Sequence, residues 1–69
     1  MQFQGVRSTN LAAVGYDPDS QELVVMFTNG NRYLYPDVLP EHAEGLQSAE
    51  SPGTYFANEI KGRYSGRPL

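Results

Sequence analysis

Residues 23 to 35 read LVVMFTNGNRYLY. Five apolar side chains, Leu23 to Phe27, run up to Asn29-Gly30, and a second strand-like segment ending Tyr33-Leu34-Tyr35 follows. Asn and Gly tolerate the positive φ angles of a tight hairpin turn, so the stretch predicts two antiparallel strands joined at Asn29-Gly30. With a two-residue loop, Met26 faces Tyr33, Val25 faces Leu34 and Val24 faces Tyr35. Facing residues share a side of the sheet. That register predicts one face with Leu23, Val25, Phe27 and Leu34, and another with Val24, Met26, Tyr33 and Tyr35.

Outward from the hairpin, Asn10 to Tyr16 reads as a preceding strand, closed by the turn formers Asp17-Pro18-Asp19-Ser20. Gln21 to Thr28 is the second strand and Asn31 to Tyr35 the third, ended by Pro36, which cannot donate to a ladder. The period then changes. Pro40 suits the first turn of a helix on which Leu39, Ala43 and Leu46 recur, with Gly45 weakening it by roughly 1 kcal/mol relative to alanine. Ser51-Pro52 reads as the N-cap and first position of a second helix, anchored by Phe56 and Ile60. The expectation is an α+β fold: a three-stranded antiparallel β-meander followed by two short C-terminal helices packed on one sheet face, in a single domain over residues 1–69. Two short helices cover one face, which leaves the other for a partner, a homodimer contact or a core that wraps further.

The chain has 69 residues, no cysteine, and five basic against eight acidic side chains for a net charge of −3. A domain this small buries only about 60% of its unfolded surface, which disfavours a deep cleft. Without cysteine there is no disulfide scaffold or thiolate metal site. No apolar run approaches the ~20 residues that cross a bilayer, and the first ten residues lack the pattern of a signal peptide, so a soluble cytoplasmic protein without membrane contact is expected. The acidic balance argues against indiscriminate coating of nucleic acid. Its distribution matters, because Lys61, Arg63 and Arg67 give residues 61–69 a charge of +3, while residues 1–60 carry two basic and eight acidic groups, or −6.

Gly15-Tyr16-Asp17, Leu23, Val25, Phe27, Gly30, Tyr33-Leu34-Tyr35, Val38, Leu46, Ala49, Ser51, Gly53, Tyr55-Phe56, Ile60 and Tyr64 together resemble the KTSC domain, in order and at its spacing, from Ser8 to Tyr64. That family is named for its occurrence at the C-terminus of some lysyl-tRNA synthetases and includes small stand-alone bacterial and phage proteins. The local departure is Val38-Leu39-Pro40, where the family more often has Val followed directly by Pro. The resemblance implies no established reaction, and its synthetase context implies nucleic-acid binding by analogy.

The residues point away from catalysis. His42 is the single histidine and a zinc site needs three or four ligands, so Glu41-His42-Ala43-Glu44 reads as the start of a helix. Asp17, Asp19 and Glu22 lack the Gly and bidentate Glu of a calcium loop, and the seven glycines form no phosphate loop. The chain is expected to be no enzyme, without metal or cofactor. Tyr33 and Tyr35, two apart on a strand, project from one face, where they either stack unpaired bases or fill a small core with their hydroxyls at its rim. Lys61, Arg63 and Arg67 around Tyr64 form either a phosphate-and-base contact or a solvated tail. Two readings follow. In the first, the chain is a small non-catalytic module binding RNA or other single-stranded nucleic acid through Tyr33, Tyr35, Lys61, Arg63, Tyr64 and Arg67. In the second it is a protein-interaction module, such as a small acidic phage-type inhibitor or accessory of host nucleic-acid machinery, presenting Asp37, Glu41, Glu44 and Glu50 to a basic partner.

Overall fold

A computed structural model describes all 69 residues. Its sheet is an antiparallel meander of five strands in sequence order: β1 (Gln2–Gly5), β2 (Leu11–Asp17), β3 (Glu22–Phe27), β4 (Arg32–Tyr35) and β5 (Arg67–Pro68). Between β4 and β5 lie α1 (Pro40–Ser48) and α2 (Pro52–Tyr55), and α2 runs directly into a π-helical turn at Phe56–Ile60. The small α+β architecture and the two helices on one face match expectation; the strand number does not. Both added strands are short sheet edges of exposed residues, four and two long; the alternation of Met1 and Phe3 with Gln2 and Gln4 covers only two apolar positions and does not mark β1 as a strand.

The register of β3 on β4 also differs, by one residue. Val25 faces Tyr33 and Leu23 faces Tyr35. The loop has three residues, Thr28 to Gly30: the Gly30 N–H donates to the Phe27 carbonyl at 3.0 Å, Phe27 N–H donates to Asn31 at 2.9 Å, and Gly30 takes φ +94°. A turn closed by a left-handed glycine absorbs the third residue. Because side chains alternate, that single shift exchanges Leu34 with the two tyrosines. Leu23, Val25, Phe27, Tyr33 and Tyr35 share the helix-covered face; Val24, Met26 and Leu34 share the outward one.

The core forms where that inner face meets the helices. Leu11, Val14, Leu23, Val25 and Tyr35 from the sheet pack with Val38, with Ala43 and Leu46 of α1, and with Phe56 and Ile60. Each Val, Leu, Ile or Phe side chain among them taken fully out of water contributes ~1.5 to 3 kcal/mol. Pro40 opens α1 and Pro52 opens α2 as expected, but the Ser51 hydroxyl donates to Thr54 Oγ1 at 2.9 Å rather than capping a backbone N–H. In the π turn, Lys61 N–H reaches back five residues to the Phe56 carbonyl at 2.9 Å, which widens the helix locally; Phe56 and Ile60 within it are both buried.

Candidate nucleic-acid interface

Where the end of β3 and the start of β4 meet the π turn, four rings touch edge to face. Tyr33 lies 5.9 Å from Phe27, Phe27 lies 5.6 Å from Phe56, and Phe56 lies 5.7 Å from Tyr35, with interplanar angles of 77° to 90°. Such pairs each add ~0.5 to 1.5 kcal/mol beyond area burial, so the rings hold one another in place. They wall a recess of about 330 Å³ in which five of eight lining residues are hydrophobic. Asn10 and the exposed Lys61 supply its polar groups. Tyr35 is only 6% exposed and forms a wall; Tyr33 is half-buried and leaves part of its ring to solvent. Burial, and secondarily the neighbouring Tyr33, pushes the Tyr35 phenol above its ordinary value. It stays a neutral hydrogen-bond donor at physiological pH.

The six residues expected to form one contact surface separate into groups. Tyr33, Tyr35 and Lys61 converge on the recess. Arg63 pairs with Glu59 at 3.3 Å, one turn away and exposed to water. Tyr64 is a clasp: its hydroxyl accepts the Leu39 N–H at 3.2 Å and lies 2.6 Å from His42 Nδ1, to which it donates when that nitrogen is unprotonated. Arg67 faces Leu34 across β4 and β5, so its side chain leaves on the outward face, away from the recess. Of the acidic candidates, Asp37, Glu41, Glu44 and Glu50 are all exposed, and Asp37 is held at φ 59° in the loop after β4. Phe27, Phe56 and Asn10 were missing from the expected site. Phe27 and Phe56 carried a signal as strand and helix anchors, whereas Asn10 had none, because its place beside Gly53 depends on the packing of α2.

A wider depression of about 530 Å³ between α1 and α2 contains Glu41, His42, Tyr55 and Glu59. Its walls are mostly polar and its two carboxylates repel phosphate, so the smaller aromatic recess is the better nucleic-acid candidate. Tyr16 takes no part in either cavity; its hydroxyl donates to the Val38 carbonyl at 2.6 Å.

The KTSC domain pattern matches residues 7–64 of the chain. The chain belongs to the KTSC domain family. The crystal structure of a KTSC domain protein from Yersinia pestis superimposes with a TM-score of 0.90 at 35% identity, covering 99% of this chain and 96% of that one. A protein of Tsukamurella paurometabola is 43% identical over 62 residues, 90% of this chain and 92% of the relative. An uncharacterized protein of Stutzerimonas stutzeri is 38% identical over 61 residues, 88% and 86% of the two chains. The matched segment of this KTSC domain contains every residue of the aromatic recess. It leaves out β1 and β5. No helix is long and apolar enough to cross a membrane.

Proposed function

We propose that this KTSC domain is a small binding module for single-stranded nucleic acid, RNA foremost. The observation that carries the reading is the recess itself, in which a half-exposed tyrosine within a fixed aromatic cluster shares a mouth with one free lysine. A flipped-out base offers a flat face to Tyr33, a stacking contact of ~1 to 3 kcal/mol, while Lys61 neutralises the adjacent phosphate. The Asn10 amide nitrogen supplies donors for a base edge, while its Oδ1 already accepts the Ser8 hydroxyl at 2.8 Å. The acidic remainder of the surface limits non-specific association, so the ring contact matters more than in a basic protein.

Fluorescence anisotropy with a labelled, unstructured RNA oligonucleotide tests this. The full chain is expected to bind at low salt, with affinity falling as salt rises. Lys61→Glu should lower affinity and reduce the salt slope by about 0.7, the value for one single-strand phosphate. Tyr33→Ala should cost about 1 to 3 kcal/mol, whereas Arg67→Glu, on the opposite face, should matter less than either. No anisotropy change at low salt, or binding indifferent to both Lys61→Glu and Tyr33→Ala, would overturn the proposal.

A further inference from the structure

The sheet face turned away from the helices is apolar and no helix covers it, although its central Val24 is only 6% exposed and Gly15 is buried beneath neighbouring side chains. Three of the four exposed large hydrophobic residues lie on it: Met1 at 54% exposure, Phe3 at 49% and Leu69 at 61%. Phe3 faces Gly15 across the ladder, and its ring and the Met1 sulfur occupy the space where a Cβ on Gly15 would stand. Leu69 N–H donates to the Arg32 carbonyl at 2.8 Å, which continues the β5 pairing and places its side chain on the side of Arg67. Half-buried Met26 and Leu34 fill the middle.

Charge is sorted on this face. Asp17 and Glu22, paired across β2 and β3, sit at one end. Arg32 sits at the opposite end of β4, and Arg67 on the β5 edge. None of the four has an ion-pair partner, since Glu59 with Arg63 is the one salt bridge of the chain. With strands ~4.8 Å apart and ~3.3 Å between residues, Arg67 lies two strands, ~10 Å, to one side of Val24, and Glu22 lies two residues, ~7 Å, along the strand from Val24. A two-fold axis lying diagonally in the face exchanges those two directions. It brings Arg67 of one copy over Glu22 of the other and Arg32 over Asp17. The same operation sets Phe3 beside Met26 and Leu69 beside Met1. The other diagonal sets Arg32 against Arg32 instead.

We propose that the outward sheet face is a homodimer interface, two copies packing face to face with strands crossing near a right angle. Orthogonal crossing is one of the two ways sheets pack, and a two-fold interface requires a self-complementary patch of this kind. Each charge pair recurs twice, so a single reversal is felt twice. The aromatic recess is on the other side of the sheet, and dimerisation and RNA binding are therefore separable.

Sedimentation of the full chain from micromolar to millimolar concentration, with circular dichroism to verify folding, tests the interface. A reversible dimer is expected. Arg67→Glu and, separately, Glu22→Arg should each weaken it about tenfold or more. The double variant Arg67→Glu with Glu22→Arg should restore it. Arg32→Glu with Asp17→Arg provides the same swap at the second contact, and Phe3→Ser, at an exposed position, should also favour monomer. A chain that stays monomeric throughout, a dimer that Arg67→Glu leaves intact, or reversals that neither swap restores would overturn the proposal.

Discussion

At Gly45 two preferences oppose each other. Helix propensity favours alanine there by roughly 1 kcal/mol. The Tyr55 ring of α2 packs directly on the glycine, however, and an added Cβ would collide with its hydroxyl end. Overpacking typically costs ~1 to 3 kcal/mol, so Gly45→Ala is expected to destabilise. Urea unfolding checks it, and the same change in a Tyr55→Ala background should become stabilising, because only propensity then remains. The sequence shows the helix-weakening glycine but not the ring that requires it, since Tyr55 is ten residues away and reaches it only after the helices pack. Gly30 is the opposite case: its turn is plain in Asn29-Gly30, while the loop length of two or three residues is not, because Gly suits both turns. That one residue of uncertainty reversed the side on which Tyr33 and Tyr35 lie.

At the scale of elements, central strands and helices announce themselves through apolar spacing, and edges only two to four residues long are too short to do so. β5 is two residues, Arg67–Pro68, both exposed, and it follows closely on the Tyr64 clasp, which ties the preceding chain to the start of α1. Tyr64→Phe keeps the ring and removes the hydroxyl, leaving the Leu39 N–H and His42 Nδ1 without that partner. A loss of about 1 kcal/mol is expected, the usual net worth of a hydrogen bond. Native-state hydrogen exchange locates the effect: the Leu39 amide should exchange faster, and the Leu69 amide, which closes the β4–β5 pairing on Arg32, should follow if the clasp holds the tail. An unchanged Leu69 rate would show that β5 is held by its own pairing. Tyr64 was visible in the sequence as an aromatic among cations, a pattern shared by base contacts and by internal clasps; its hydrogen-bond partners, 22 and 25 residues away, distinguish the two.

Across the whole molecule, the tyrosines tie stability to high pH. Burial raises the phenol pKa of Tyr16, Tyr35 and Tyr55 above 10.0; Tyr64 and Asp17 add to the shift at Tyr16, and Glu59 and Glu41 at Tyr55. The unfolded chain releases these protons near pH 10, whereas the folded chain retains them to higher pH. In that window the folded state binds more protons, so stability falls as pH rises. The contribution is complete below the unfolded pKa and is lost progressively as pH climbs from there through the raised folded values. Denaturation midpoints measured from neutral pH upward should therefore hold with respect to these groups to about pH 9 and then decline. Tyr16→Phe should lower stability at neutral pH, because the Val38 carbonyl loses its 2.6 Å donor, and should make the alkaline decline shallower, because one of the three phenols is gone. An unchanged alkaline decline in Tyr16→Phe would mean that Tyr16 ionises alike in both states, and its burial-linked share of the pH dependence would have to be abandoned.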